Sequence, residues 1–290
     1  MPQNSPSPSE RATTSIVIPV KDDAALLERC LLALRAQTSP PDDIVVVDNG
    51  SSDASAAVAE RFGVRLVRQP GGGIPAARSA GYDAATGDIV VAIDADCLPE
   101  RHWLAALEQD FREHPEVSAF TGAARFIDGP RILRRALAVL YLGSYYLLLL
   151  PALGHPPVFG SNFAMRRSLW LEIAHDVHRH DAFVHDDLDL SFHVGPPHRV
   201  RYSPRWPIGI SMRPFFNARS FVVRLRRGGH TVAVHWPEHL PWLRWQRQWA
   251  AARHSRNRPA RTAAPVPRPR EVSRPVREER RVLQGPSRRG

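Results

Sequence analysis

Between residues 14 and 98 the chain repeats one pattern: a short β-branched run, a polar turn, then a stretch with apolar residues at helical spacing. Ser15–Val20 predicts the first strand, ended by the Pro19–Val20 corner. Ala24–Ala36 carries Leu27, Leu31 and Leu34 on one helical face, with Asp22 or Asp23 placed to cap it. Asp43–Asp48 reads as a second buried strand that ends in an acid, and Ala54–Phe62 as the helix after it. Val64–Val67 predicts a third strand, Gly71–Gly73 a loop, and Ile74–Ala85 a helix with Pro75 in its first turn. Ile89–Ile93 is the fourth strand. Near-continuous apolar runs of this kind belong to strands covered on both faces. Their alternation with helices predicts βαβ units on a parallel sheet.

Beyond residue 98 the pattern loosens. Pro99–His114 predicts a helix, Val117–Ala124 a strand, and Val158–Ser168 a strand running into a turn. Ala136–Leu150 is strongly apolar, but Gly143-Ser144 and Pro151 interrupt it and Arg131, Arg134 and Arg135 precede it. A spanning helix needs about 20 apolar residues, so a helix buried in the domain or lying in a membrane interface fits better. After Arg205 the chain is hard to read. Pro241–Trp249 places Trp242, Trp245 and Trp249 on one helical face beside arginines. Such a basic aromatic helix either packs on the domain or lies on an anionic membrane surface. The expected organisation is a disordered lead-in over 1–13, one domain over 14–212 with halves 14–98 and 99–212, a basic aromatic extension over 213–250, and a disordered Arg/Pro-rich tail over 251–290.

Charge changes that picture little. The net charge of the 290 residues is +10, yet residues 251–290 alone hold 12 Arg against 3 Glu, so the body is close to neutral. The basic balance therefore describes a tail, and nucleic acid is not the expected partner. Cys30 and Cys97 are too few for a disulfide framework, which points to a reducing cytosol. The first ten residues lack the basic and apolar regions of a signal peptide. The expected location is cytoplasmic, with room for peripheral attachment at the inner face of the membrane.

The candidate chemistry collects where the strands end. Pro19–Asp22, Asp48–Ser51 and Asp94–Asp96 all fall at carboxyl ends of predicted parallel strands, where open α/β sheets bind ligands. Asp94 and Asp96, one residue apart, suggest oxygen ligands for a divalent ion, Mg²⁺ or Mn²⁺. A plain turn would also place Asp there, but the convergence of three such ends favours the metal. Gly71–Gly73 lacks the spacing and the Lys of a phosphate-binding P-loop. His230 or His235 could reach the metal, though a lone His is more often structural.

Four motifs in order, Ile18-Pro-Val-Lys-Asp-Asp23, Val47-Asp-Asn-Gly-Ser-Ser-Asp53, Ala77-Arg-Ser-Ala-Gly81 and Asp94-Ala-Asp96, resemble the nucleotide-binding half of family 2 glycosyltransferases. The resemblance runs from about Thr14 to Trp206. It implies the GT-A fold, an α/β arrangement in which a Rossmann-like, mostly parallel central sheet is flanked by helices, here with a basic C-terminal extension. It implies a nucleotide-diphosphate sugar as donor, with uridine diphosphate favoured. Asp48 would then hold the base or ribose, and Pro19, Asp22 and Arg78 would line the same pocket. Asp96 would be the principal metal ligand and Asp94 would face the ribose or a metal-bound water.

Val158–Ser168 is similar to the family's G-x-N-x-A-x-R-R segment, which puts Gly160 and Asn162 on the acceptor side. In His185–Phe192, three acids lie within four residues at the head of a helix. The helix dipole favours negative charge there, but by the resemblance the pair Asp186-Asp187, usually Glu-Asp, supplies the catalytic base, with Asp187 in that role. The implied reaction is an inverting displacement onto a sugar or lipid-linked acceptor, of the sort used for cell-envelope polysaccharide. A nucleotidyltransferase would need a Gly-rich, basic loop after the first strand, which Ile18–Asp23 is not. A non-enzymatic binding protein acting through its basic tail is the other rival.

Overall fold

In the first half, the elements form where side-chain spacing puts them. The computed structural model describes residues 11–130, 132–195, 198–213 and 218–256. Strands β1 (Thr14–Val20), β2 (Asp43–Asp48), β3 (Arg65–Arg68) and β4 (Ile89–Ala92) alternate with helices α1 (Ala24–Arg35), α2 (Ser55–Phe62) and α3 (Gly73–Ala84). The four strands are parallel in the order β3-β2-β1-β4, with Val20 beside Asp48 at the carboxyl edge. Both faces of this sheet are covered. Ile16, Ile18, Val46, Val91 and Ile93 pack with Leu27, Leu31 and Leu34 of α1 on one side. Val17, Val45, Val47 and Val90 pack with Ala77 and Tyr82 of α3 on the other. Gly81 sets how close α3 lies, since a Cβ there would come within 2.3 Å of a Val17 methyl.

The second half adds β5 (Leu98–Pro99), α4 (Trp103–Glu113), β6 (Ala119–Phe126), α5 (Arg134–Leu153), β7 (Phe163–Arg166), α6 (Arg167–Ile173), α7 (Asp186–His193), β8 (Val200–Ile210), α8 (Ala218–Val234) and α9 (Pro241–Arg256). It completes a sheet ordered β3-β2-β1-β4-β7-β6-β8-β5. Here the pairing is mixed: β7 runs antiparallel to β4 and β6, β8 runs parallel to β6, and β5 antiparallel to β8. The helix expected from Pro99 begins at Trp103, because Leu98 and Pro99 pair with β8 instead. Strand β8 has no clear sequence signal. Pro204 and Pro207 lie inside it, and the register against β6 slips between Gly122 and Ala124 to accommodate them.

Three expectations need correction. The domain starts before residue 14: Arg11 pairs with Asp42 at 2.6 Å and Glu108 at 2.8 Å, and Thr13 hydrogen-bonds Asp88. Helix α5 is not a buried helix. Ala138, Leu142 and Leu153 face the domain, while Val139, Leu140, Leu147 and Leu148 are largely exposed. Its Ala136–Leu153 segment is long and apolar enough to cross a membrane by length and composition, with 17 % of it buried. The extension adopts the packed placement, one of its two expected ones, with α8 against α7 and α9 against α5. It also continues to Arg256; residues 257–290 of the expected tail and 1–10 of the lead-in lie outside the described residues.

Helix α9 reverses the usual amphipathic arrangement. Among its described side chains Arg244 is the buried one, donating to the carbonyls of Leu153 and Phe192, while Trp242 and Trp249 point outward. Trp245 is partly covered, its Nε1 donating to the Pro151 carbonyl at 2.8 Å.

Asn162 has a different role from the acceptor contact expected of it. It is fully buried; its amide donates to the carbonyls of Ala123 at 2.7 Å and Trp206 at 3.0 Å, and its Oδ1 accepts Trp103 Nε1 at 3.0 Å. These bonds tie α4, β6 and β8 together within the core. The Asn162→Ala variant should therefore lose about 3 kcal/mol of stability, roughly 1 kcal/mol per lost bond, with orphaned buried groups adding to it. Urea unfolding measures this, and a loss below about 1 kcal/mol would contradict the assignment.

Candidate active site

The strand order reverses at β1: β2 and β3 go to one side and β4 to the other. At the carboxyl edge of these strands lies an open cleft of about 470 Å³, with Pro19, Lys21, Asn49, Asp94, Asp96 and Arg213 among its lining. One wall is built by loops that acids hold together. Asp22, at φ +52°, accepts the Ser52 backbone N–H at 2.7 Å and the Ser52 hydroxyl. These bonds hold its carboxyl below the usual range. Asp48 is buried and accepts the Ser51 N–H at 2.8 Å. The start of α1 is capped by neither Asp22 nor Asp23; Asp53 Oδ2 takes the Ala24 N–H at 2.9 Å. Asp22 and Asp48 thus turn to the Ser51–Ser52 loop, and their neighbours Lys21, Asp23 and Asn49 line the cleft.

The far wall is organised by Arg78, which α3 carries into a buried position. Its guanidinium donates to Asp94 Oδ1 at 2.6 Å and to the Gly160 carbonyl at 2.7 Å. Its Nε lies 2.7 Å from Asp186 Oδ2, an ion pair without hydrogen-bond geometry that leaves both buried atoms lacking a hydrogen-bond partner. Residues 160 and 161 complete the link. The Gly160 N–H donates to Asp187 Oδ2 at 2.9 Å, and the Ser161 hydroxyl donates to Asp94 Oδ2. Asp94, just beyond β4, and Asp187 of α7, more than ninety residues apart, so grip consecutive residues of one turn. Gly160 is required there: a Cβ would sit 1.9 Å from Asp187 Oδ1. The close backbone approach it permits here is to Asp187. Burial, followed by the charge of Asp186, raises the Asp187 carboxyl well above its ordinary value, with Arg78 opposing.

Asp96 faces the cleft from the other side of the pair. Burial and the nearby Asp94 raise its pKa, and Arg213 reaches it at 3.2 Å while also pairing with Asp23 at 3.0 Å. An acid pair so placed fits a hard divalent ion, with Asp96 the freer ligand. Asp94 already gives one interaction from each oxygen to Arg78 and Ser161. Cys97 Sγ lies near both acids, but burial pushes its thiol pKa far up and it donates to the Ser161 carbonyl. The two carboxylates are the hard oxygen donors that suit Mg²⁺ or Mn²⁺.

Arg213 and Arg224 line the cleft without any motif to announce them. Neither histidine proposed for the metal pairs with its acids: His230 pairs with Asp181 at 2.7 Å, and His235 lies 3.4 Å from Asp189.

Residues 15–173 match the family model described as Glycosyl transferase family 2, more than half of the chain. The chain belongs to glycosyl transferase family 2. Among curated relatives, Glycosyltransferase AglE of Haloferax volcanii is 35 % identical over 98 residues, 31 % of this chain and 32 % of AglE. Putative glycosyltransferase EpsH of Bacillus subtilis is 26 % identical over 137 residues, 46 % of this chain and 40 % of EpsH. The matches thus span less than half the length of these relatives. Among solved structures, mannosyltransferase PcManGT from Pyrobaculum calidifontis, in complex with GDP-Man and Mn²⁺, superposes with a TM-score of 0.55 at 22 % identity. The match covers 88 % of this chain and 78 % of that one. TarS 1-349 of S. aureus, in complex with UDP-GlcNAc, gives 0.51 at 15 % identity over 67 % of this chain and 58 % of that one. This family 2 chain therefore has the GT-A fold, with a curled central sheet flanked by helices.

Proposed function

We propose that this family 2 chain moves a sugar from a nucleotide-diphosphate donor to an acceptor hydroxyl, with inversion at the anomeric carbon. The observation that carries the reading is the linkage of Asp94 and Asp187 through Arg78 and the Gly160–Ser161 turn, beside the cleft that Asp96 faces. The donor diphosphate would lie in that cleft, where Lys21, Arg213 and Arg224 supply positive charge. A uridine diphosphate sugar is the favoured donor. Asp96, supported by Asp94, would hold Mg²⁺ or Mn²⁺. The bound ion would supply Lewis-acid neutralisation of the departing diphosphate, worth several kcal/mol. Asp187 takes the proton of the acceptor hydroxyl as its oxygen bonds to the anomeric carbon and the bond to the diphosphate oxygen breaks. Its raised pKa makes it a stronger base than a free aspartate.

Mixing the chain with candidate donors and assaying for free nucleoside diphosphate tests the reading directly. Release of pyrophosphate instead would sink it in favour of nucleotidyl transfer. Removing divalent ions with a chelator should cut turnover by about 100-fold or more, restored by Mn²⁺ or Mg²⁺. Asp96→Asn should reproduce that loss without rescue. Activity that survives both treatments rules out the proposed ligands.

The acceptor proposed is lipid-linked. A largely apolar groove of about 890 Å³ runs beside α5, with Phe126, Leu142, Tyr146 and Tyr202 in its lining. The exposed leucines of α5 and outward tryptophans of the adjoining α9 would seat the enzyme on the inner face of the membrane. Flotation with anionic vesicles tests this, and quantitative recovery of the protein in the unbound fraction at low salt would refute it.

A further inference from the structure

Behind the turn of α7 that carries Asp187, four side chains from three segments converge. Asp189 and His193 stand one helical turn apart on α7, His178 comes from the loop before it, and His235 directly follows α8. Their donor atoms all lie within 4.8 Å of one another. His193 Nε2 and His235 Nε2 are 3.3 Å apart, and they lie 3.6 Å and 3.4 Å from Asp189 Oδ1. A tetrahedral zinc with bonds of about 2.0–2.1 Å has ligand-to-ligand edges of about 3.3–3.4 Å. Three atoms are thus already close to tetrahedral spacing. The fourth, His178 Nδ1, is 2.7 Å from the same carboxylate oxygen and needs to withdraw by roughly half an ångström.

The surroundings orient these groups as ligands. His235 Nδ1 lies 2.8 Å from the Thr231 carbonyl, which can only accept, so Nδ1 carries the proton and the Nε2 lone pair faces the cluster. Metal-bound imidazoles characteristically make this second hydrogen bond. The ring of Phe192 stacks on His235 at 4.2 Å and fixes its plane. The free Asp189 oxygen accepts the His178 backbone N–H at 3.0 Å. Asp189 and His235 are buried, yet the cluster borders a polar cavity of about 430 Å³ that gives an ion a way in.

We propose that His178, Asp189, His193 and His235 form a structural zinc site. Three imidazoles and one carboxylate suit Zn²⁺ and disfavour Mg²⁺. With four protein ligands no position is left for substrate, so the ion acts as a clamp. It would fasten the end of α8 to α7, and through α7 would steady the Asp186–Asp187 turn.

The experiment uses the full chain, stripped of metal with a chelator and titrated with Zn²⁺ against a chromophoric indicator. One equivalent should bind, the melting temperature should rise, and Co²⁺ in its place should give the strong visible bands of a four-coordinate ion. His235→Gln and His193→Gln should each weaken binding by about 100-fold or more, since even outer partners of a ligand are worth 10- to 100-fold. Asp96→Asn should bind Zn²⁺ as the parent does, separating this site from the cleft. Failure of the parent chain to take up an equivalent overturns the proposal whatever the folding of the variants. So does uptake unchanged in both histidine variants, or a weak six-coordinate Co²⁺ spectrum. None of these outcomes bears on sugar transfer, which is read separately by nucleoside diphosphate release.

Discussion

Asp187→Asn is expected to lower kcat by about 10²- to 10⁴-fold, the usual worth of a positioned general base, with little change in donor affinity. The substitution is conservative where it should be. Asp187 Oδ2 accepts the Gly160 N–H, and the asparagine carbonyl oxygen can keep that bond, so the turn should hold. What goes is the ability to accept a proton from the acceptor. Asp186→Asn is the matched control, because Asp186 is occupied by Arg78 and should cost less in kcat. Steady-state kinetics alongside donor titration by calorimetry decide the matter. If Asp187→Asn retains kcat within about threefold, another group is the base.

Arg78→Met should destabilise the fold by about 3–5 kcal/mol, the range for removing one partner of a buried ion pair. Arg78 is 6 % exposed, and it faces two carboxylates and a carbonyl at once. Methionine fills comparable volume but leaves Asp94 and Asp186 without their counter-charge. Arg78→Lys should recover only part of the loss, since one ammonium cannot present the planar fork that reaches three partners. Chemical denaturation measures both variants. A loss under about 1 kcal/mol for Arg78→Met would show that the carboxylates find other compensation. Arg78 was expected to line the nucleotide pocket; the contacts described for it are within the protein, and its value is in holding Asp94 and the Gly160 turn in register.

The first half of the fold was legible because its signals are local. A strand buried on both faces must be largely apolar, as β1, β2 and β4 are, and a helix on a sheet must be apolar at every third or fourth position, as α1 is at Leu27, Leu31 and Leu34. Strand β8 was missed because its prolines and arginines contradict strand preference; pairing with β6 and β5 overrides them. Helix α5 misled in another way, since apolar residues around a whole helix do not say whether protein covers them.

The sequence by itself determined the parallel half of the sheet, the edge where acids gather, and the motifs that bring the chain into its family. Each of these depends on near neighbours along the chain. Tertiary structure alone decided which side chains share a partner. It gave Asn162 to the core, turned Asp22 and Asp48 toward a serine loop, brought Arg213 to Asp96, and drew His235 to Asp189. Apart from Asp48 and Ser51, three residues apart, such contacts join residues dozens to more than a hundred positions apart. Whether a polar group meets a ligand or another part of the protein depends on packing that no local pattern encodes.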